Sequence, residues 1–201
     1  MSWISIISYE NATGKLKKLY NRVKGPNNKV DNIMLVHGLR PHTMVGHMAL
    51  YKNVLHNSDN TIPKWFLETI GVYVSMLNNC EYCVQHHLSG LKRLLNDAEK
   101  FNNIKQNMQS QSFCDIFDVK YKIALNYVEL LTLKPISVSK NDIDALIQVG
   151  FSNGEVLEIN QVTAYFNYAN RTVLGLGVNT KDDILGLSPN NNSDENKWNH
   201  Q

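Results

Sequence analysis

Two of the chain's three cysteines stand one helical turn apart in Asn79-Cys80-Glu-Tyr-Cys83-Val-Gln-His86-His87, with a histidine one turn further on. On a helix, Cys80, Cys83 and His87 fall at i, i+3 and i+7 and project from nearly one face. The two thiols can close a disulfide across that turn, or serve separately as nucleophile and resolving thiol. Asn78-Asn79 is a turn signal, and Asn79 is a suitable N-cap for a helix from about Cys80 to Leu95. Unpaired N–H groups at such a helix start favour thiolate over thiol.

The preceding segment, Lys64–Leu77, carries Trp65, Phe66, Leu67, Ile70, Val74 and Leu77 and is apolar over most of its girth. Its one acid, Glu68, needs a partner or a proton if it is buried. An antiparallel αα-hairpin of the two helices can be measured at about 1.5 Å per residue. Glu68 then lies roughly 15 Å before the turn and His87 roughly 12 Å after it, with Cys83 about 6 Å after it. The spacing predicts an ordered set Glu68, His87, Cys83, Cys80, running from buried to exposed. That order suits a thiol peroxidase or disulfide reductase. His87 backed by Glu68 holds the proton taken from Cys83, Cys83 attacks a peroxide oxygen and becomes a sulfenic acid, and Cys80 resolves it as the CxxC disulfide. An external reductant must then reopen the bond.

Glu68 followed by Cys80-Glu-Tyr-Cys83-Val-Gln-His-His87 resembles the Glu…CxxCxxxH signature of the alkylhydroperoxidase D-like proteins within the carboxymuconolactone decarboxylase superfamily, especially its peroxidase-related branch. The run Phe166-Asn-Tyr-Ala-Asn170-Arg171 before Gly175-Leu-Gly177 resembles that branch's C-terminal helix, so the similarity spans most of residues 30–180. The resemblance implies an all-α fold, self-association into dimers, trimers or hexamers, and peroxide reduction with a thiol reductant or reductase as partner. It implies Cys83 as the peroxidatic thiol, Cys80 as the resolving one, and Glu68 and His87 as the proton relay, with no cofactor. One position departs from the pattern: Tyr82 stands where members place a histidine before the second cysteine, and a phenol is a poor base at neutral pH. His86 is expected on a different helix face.

Other chemistry fits the same residues. Cys80, Cys83 and His87 or His86 could bind zinc with Cys114 or another histidine as fourth ligand, in a zinc-stabilised or redox-sensing interaction protein, although no second CxxC or HxxxH is present. A decarboxylase or lactone-type reaction would use Glu68 and His87 for proton transfer and leave the thiols idle. Haem attachment is excluded because Val84 follows Cys83. His37, His42, His47 and His56 have no metal-ligand spacing; His47 shares a helix face with Tyr51 and is a candidate pocket residue. Arg171 suits either an ion pair at a subunit interface or a substrate contact. Cys114 reads as a buried thiol.

The rest of the chain supplies helices to hold this hairpin. Apolar spacing predicts helices over 15–24, 30–39, 41–55, 115–133, 140–149 and 153–174, a short helix within 96–112, and a final turn in 180–187. Ser139 and Ser152 open two of them with capping-box spacing. An all-α single domain of about seven or eight helices over residues 1–187 follows, with an extended arm over 1–12 and an Asn-rich polar tail over 188–201. A net charge of +2 with 19% charged residues gives no basic field for nucleic acid or an anionic membrane. The opening residues lack a cationic start before their short apolar run, and the cysteine usage suits a reducing compartment, so a cytoplasmic location is expected.

Overall fold

A computed structural model describes residues 2–113, 116–189, 198 and 200. Among them are nine α-helices and no strand: α1 (Gly14–Val23), α2 (Asn32–His37), α3 (Pro41–Leu55), α4 (Lys64–Leu77), α5 (Glu81–Leu95), α6 (Ala98–Ser110), α7 (Val119–Leu133), α8 (Lys140–Gln148) and α9 (Asn153–Leu176). The fold is all-α, with one contiguous core. It holds slightly more helices than the seven or eight expected, because 98–110 forms a full helix. There Asp97 caps the Lys100 N–H, and Phe101, Ile104 and Met108 bury one stripe of an otherwise polar segment.

The predicted αα-hairpin is the centre of the domain. Helix α4 is buried along nearly its whole length, from Phe66 to Ser75, and packs against α5 on one side and the long α9 on another. Both predicted capping boxes are present, Ser139 with Asp142 and Ser152 with Glu155. Gly177 ends α9 at φ +61°, where a side chain would be strained. No helix forms in 178–189. This segment instead turns back along α5, and at Gly186 its backbone comes so close that a Cβ would lie 2.8 Å from Ser89 Cβ. It is held by Asn32, whose side-chain amide donates to the carbonyls of Asn179 and Lys181.

Residues 2–13 carry no helix, and the Trp3 N–H donates to the Leu176 carbonyl at the end of α9. Of the expected polar tail, Ser188, Pro189, Trp198 and His200 are described; Trp198 is buried under Arg22, and His200 is buried beside the cavity discussed below. Cys114 and Asp115 lie outside the described residues, as does the rest of that tail.

The α4–α9 crossing depends on Gly71. A methyl group there would overlap the ring of Phe166, which is fully buried and could yield only by shifting within the packed core. Gly71→Ala is expected to destabilise the fold by about 1–3 kcal/mol, lowering the melting temperature by roughly 3–10 °C in a thermal scan followed by circular dichroism. Gly90→Ala, whose added carbon would meet Glu68 only at 3.9 Å, should be tolerated.

Candidate active site

The α4–α5 turn sets the thiols. Asn79 takes the left-handed conformation at φ +54°, so the helix N-cap is Cys80 and not Asn79, one residue later than its sequence suggests. A chain of buried amides and hydroxyls braces the turn. Asn78 donates to the side-chain carbonyls of Asn167 and Asn170, Asn170 donates to Ser75 Oγ, and the Ser75 hydroxyl donates to the Gly71 carbonyl. Asn170 also lies against both sulfurs. Arg171 turns outward and bonds Asn167 on its own helix. The sequence singled out Asn170-Arg171 only as a similarity, and the residue that reaches the thiols is Asn170.

Cys80 and Cys83 are both free and hydrogen-bond to each other. Their protonation is opposed. The bond from the Cys83 thiol holds Cys80 below the ordinary cysteine range against the effect of burial, with help from the Cys83 N–H and the Asn170 amide. That N–H faces the Cys80 sulfur at the helix start without the geometry of a closed side-chain cap. Cys83 is pushed well above the ordinary range, because its proton makes the bond to Cys80 and because burial disfavours a second thiolate beside the first. Of the two thiols, Cys80 is therefore the more acidic and Cys83 the one that keeps its proton, the reverse of a resting Cys83 thiolate.

His87 Nδ1 lies 2.8 Å from Glu68 Oε2, so the hairpin measurement places these two correctly. With Glu68 as carboxylate, Nδ1 donates and Nε2 is the basic nitrogen. Phe166 packs edge-on against the imidazole at 4.6 Å. The predicted gradient from buried to exposed is not found: Glu68, Cys83 and Cys80 are 2%, 4% and 0% exposed. Cys80 is the most enclosed of them, because it sits under the Asn78–Asn170 brace at the bottom of the hairpin.

Cys83, His87 and Glu68 border one cavity of about 50 Å³, which Cys80 does not line. At ~10–15 Å³ per water, that space holds roughly three to five waters. Aromatic rings of Tyr51, Tyr165 and Phe166 wall it, and His47 lines it as the shared face with Tyr51 suggested. His47 is neutral at physiological pH, its pKa pushed down to about 3 by burial and by the nearby His37 and His200; its Nε2 is 3.5 Å from the Tyr165 hydroxyl.

His86 also lines this cavity, contrary to the expectation that it faces elsewhere. The cavity wraps around α5 because segment 178–189 and residues before α2 close its second side. His86 Nε2 is 3.3 Å from Asp183 Oδ2, and the same oxygen accepts from the Tyr82 hydroxyl at 2.9 Å. Tyr82 accepts from the Ile33 N–H, and Asp183 also accepts from the Asn32 N–H at the start of α2. Burial and the Asp183 charge push the Tyr82 pKa well above that of a free phenol, so Tyr82 acts as a donor and not as a base. Opposite, His200 Nδ1 lies 3.3 Å from Asp31 Oδ2. Sequence analysis singled out none of Asp31, Asp183 and His200; Asp31 lies in the predicted 30–39 helix, and Asp183 and His200 in stretches without a repeating apolar pattern. Among the described residues, no group of three or more His, Cys, Asp or Glu side chains is placed to hold a metal ion.

No family model and no curated protein sequence matches the chain. Solved structures do. An alkylhydroperoxidase AhpD core from Ralstonia eutropha JMP134, described as an uncharacterized peroxidase-related protein, superposes with a TM-score of 0.74 at 20% identity, covering 90% of this chain and 93% of that one. A peroxidase-related protein from Silicibacter sp. TM1040 gives 0.67 at 21% identity over 76% of this chain and 77% of that one. The debrominase Bmp8, as a variant bound to 2,3,4-tribromopyrrole, gives 0.62 at 18% identity over 82% and 80%. The chain thus has the alkylhydroperoxidase D-like fold.

His37, His47 and His56 are all buried and all held neutral, their pKa values lowered first by burial. For a base with a depressed folded pKa, stability is fully present above the unfolded value near 6.5 and is lost as pH falls toward the folded value. Between these limits unfolding takes up as many as three protons at these sites, a slope approaching about 4 kcal/mol per pH unit. Urea midpoints are expected to fall steeply below pH 6, and His47→Gln should flatten that slope.

Proposed function

We propose that the protein is a CxxC-dependent peroxidase or thiol–disulfide oxidoreductase that reduces hydrogen peroxide or small organic peroxides. The observation that carries this reading is the Glu68–His87 hydrogen bond at the same cavity as Cys83, a space a few waters in size. Cys83 is the attacking thiol, because it borders the cavity and Cys80 does not. His87, oriented by Glu68, accepts the Cys83 proton at Nε2 as the peroxide approaches. The sulfur electron pair takes the terminal peroxide oxygen, the O–O bond breaks, and Cys83 becomes a sulfenic acid. Cys80, already the more acidic thiol and hydrogen-bonded to Cys83, closes the disulfide and releases water. A thiol reductant or reductase restores the pair, and a homo-oligomer in the cytoplasm is the setting this reading assumes.

The similarity to a debrominase supports a second reading, reductive removal of halogen from an aromatic ring by the same thiols. The aromatic walls suit a flat ring, but a cavity of about 50 Å³ favours the smaller oxidant. A decarboxylase-like reaction needs only Glu68 and His87, and activity that survives replacement of both thiols by serine would favour it.

Cys83→Ser should lower peroxide turnover by on the order of 10³-fold or more with the helical circular dichroism unchanged. Cys80→Ser should consume one equivalent of peroxide and stop, with mass spectrometry finding the oxidation on Cys83. Peroxide turnover that persists in Cys83→Ser, or a sulfenic acid formed on Cys80 in that variant, would refute the assignment. A panel of haloaromatic compounds offered to the reduced protein separates the second reading.

A further inference from the structure

Among the described residues that border the cavity, His87, Leu187 and Ser188 are partly exposed and the others are buried. The route from solvent to Cys83 therefore runs past these three. His87 is set by its bond to Glu68 on a packed helix. Leu187 and Ser188 belong instead to the segment 178–189, which has no helix of its own and stands against α5 because Gly186 lies on Ser89 and Gly90. The Ser188 hydroxyl accepts from Arg93 Nη2 at 3.2 Å, in the last turn of α5.

We infer that Leu187 and His200 are the specificity-determining residues of this cavity, restricting Cys83 to hydrogen peroxide and slender alkyl hydroperoxides and shutting out branched and aromatic ones. The inference rests on the peroxidase reading above and names the substrate class of that same site. The Leu187 side chain reaches across to Gly25, where its Cδ1 would lie 2.7 Å from an added Cβ. The neighbouring Pro189 forms an isolated antiparallel bridge with His200, which brings the end of the chain back to the same side. His200 is 5% exposed, its ring stands edge-on to Tyr51 at 6.4 Å, and its carbonyl also faces Gly25. Two residues earlier, Trp198 is buried and packs its ring under Arg22 of α1 at 3.7 Å. Leu187 and His200 thus form one wall, tied to the first helix of the domain.

What His200 contributes is bulk. Its Nδ1 comes within 3.3 Å of Asp31 Oδ2, but neither ring nitrogen makes a well-directed hydrogen bond among the described residues. With both side chains in place the cavity is about 50 Å³, room for a few water-sized groups and too little for a phenyl ring. The aromatic walls Tyr51, Tyr165 and Phe166 belong to core helices, where a change of volume disturbs helix packing as well as the cavity. Leu187 and His200 stand outside the helices, on segments that a rigid scaffold presents, so this wall alone can be cut back with the core left intact.

The test compares a slender and a bulky reagent in two chemistries on the reduced full-length protein. Single-turnover loss of thiol is followed with hydrogen peroxide and with cumene hydroperoxide, and alkylation of Cys83, located by peptide mass spectrometry, with iodoacetamide and with N-phenylmaleimide. Leu187→Ala and His200→Ala are each expected to raise the bulky-to-slender rate ratio by roughly tenfold or more in both chemistries. Leu185→Ala, an exposed neighbour that does not border the cavity, should leave both ratios as they are in the wild type. Ratios unchanged in Leu187→Ala and His200→Ala, or raised equally by Leu185→Ala, overturn the assignment. Should the two variants fail to fold, the wild-type protein decides: its Cys83 is expected to disfavour N-phenylmaleimide against iodoacetamide at least about tenfold more than free glutathione does, and equal preferences overturn the wall. The alkylation arm assumes nothing about peroxide. A wild-type protein that consumes neither peroxide while its alkylation ratios shift as expected overturns the peroxidase reading and leaves the wall standing.

Discussion

A carboxylate inside an apolar helix is the constraint around which this domain is built. Glu68 is buried in α4 with Leu67 and Ile70 as neighbours, and an unpaired charge there would cost several kcal/mol. It is satisfied by one imidazole on the adjacent helix, at 2.8 Å. That bond adds to apolar packing in setting the register of α4 against α5, since a slip of one residue would break it. The surrounding residues are cut to fit it. Phe166 covers the imidazole while using the space that Gly71 leaves in α4. Three helices are thereby tied to one proton-transfer pair.

The second constraint lies at the bottom of the hairpin, where two sulfurs lie against each other. The helix start and the Asn170 amide stabilise a thiolate at Cys80, and burial makes a second thiolate at Cys83 expensive. Burial alone would raise both thiols. The asymmetry comes from position: Cys80 sits at the N-cap of α5, beside the Cys83 thiol and the Cys83 N–H. The thiol that meets the cavity is therefore the protonated one, and its reactivity depends on a neighbouring base. On the proposed reading this couples sulfur attack to His87, so that an oxidant meets a nucleophile only where the relay is in place.

Much of this was legible in the sequence because it is local or periodic. Helix positions follow from apolar spacing, the capping boxes from Ser139 and Ser152, and the meeting of Glu68 with His87 from counting residues along two arms of a hairpin. What was not legible is non-local. Asp31 sits at the N-cap of α2, Asp183 and His200 come from stretches whose sequences have no repeat, and the approach of Asp183 is decided by how 178–189 folds back on α5. His86 was misplaced for the same reason. Its angle on the helix was read correctly, but a second wall makes the cavity wide enough to include that angle. The exposure gradient fails because distance from the hairpin turn is not distance from the core: Asn79 is exposed, but Cys80 next to it is fully buried beside Asn170.

Tyr82 shows how a departure from a motif is absorbed by the structure around it. In the middle of the CxxC sequence a phenol cannot replace an imidazole as a base, and here it is made less able still, with its hydroxyl locked between the Ile33 N–H and Asp183. The same bonds make it a strut. It holds the carboxylate of a distant loop against the helix that carries the thiols, and that carboxylate in turn meets the histidine one turn further along. A residue that removes a base from the motif thus brings a second acid–histidine pair, Asp183–His86, to the cavity that Cys83 borders.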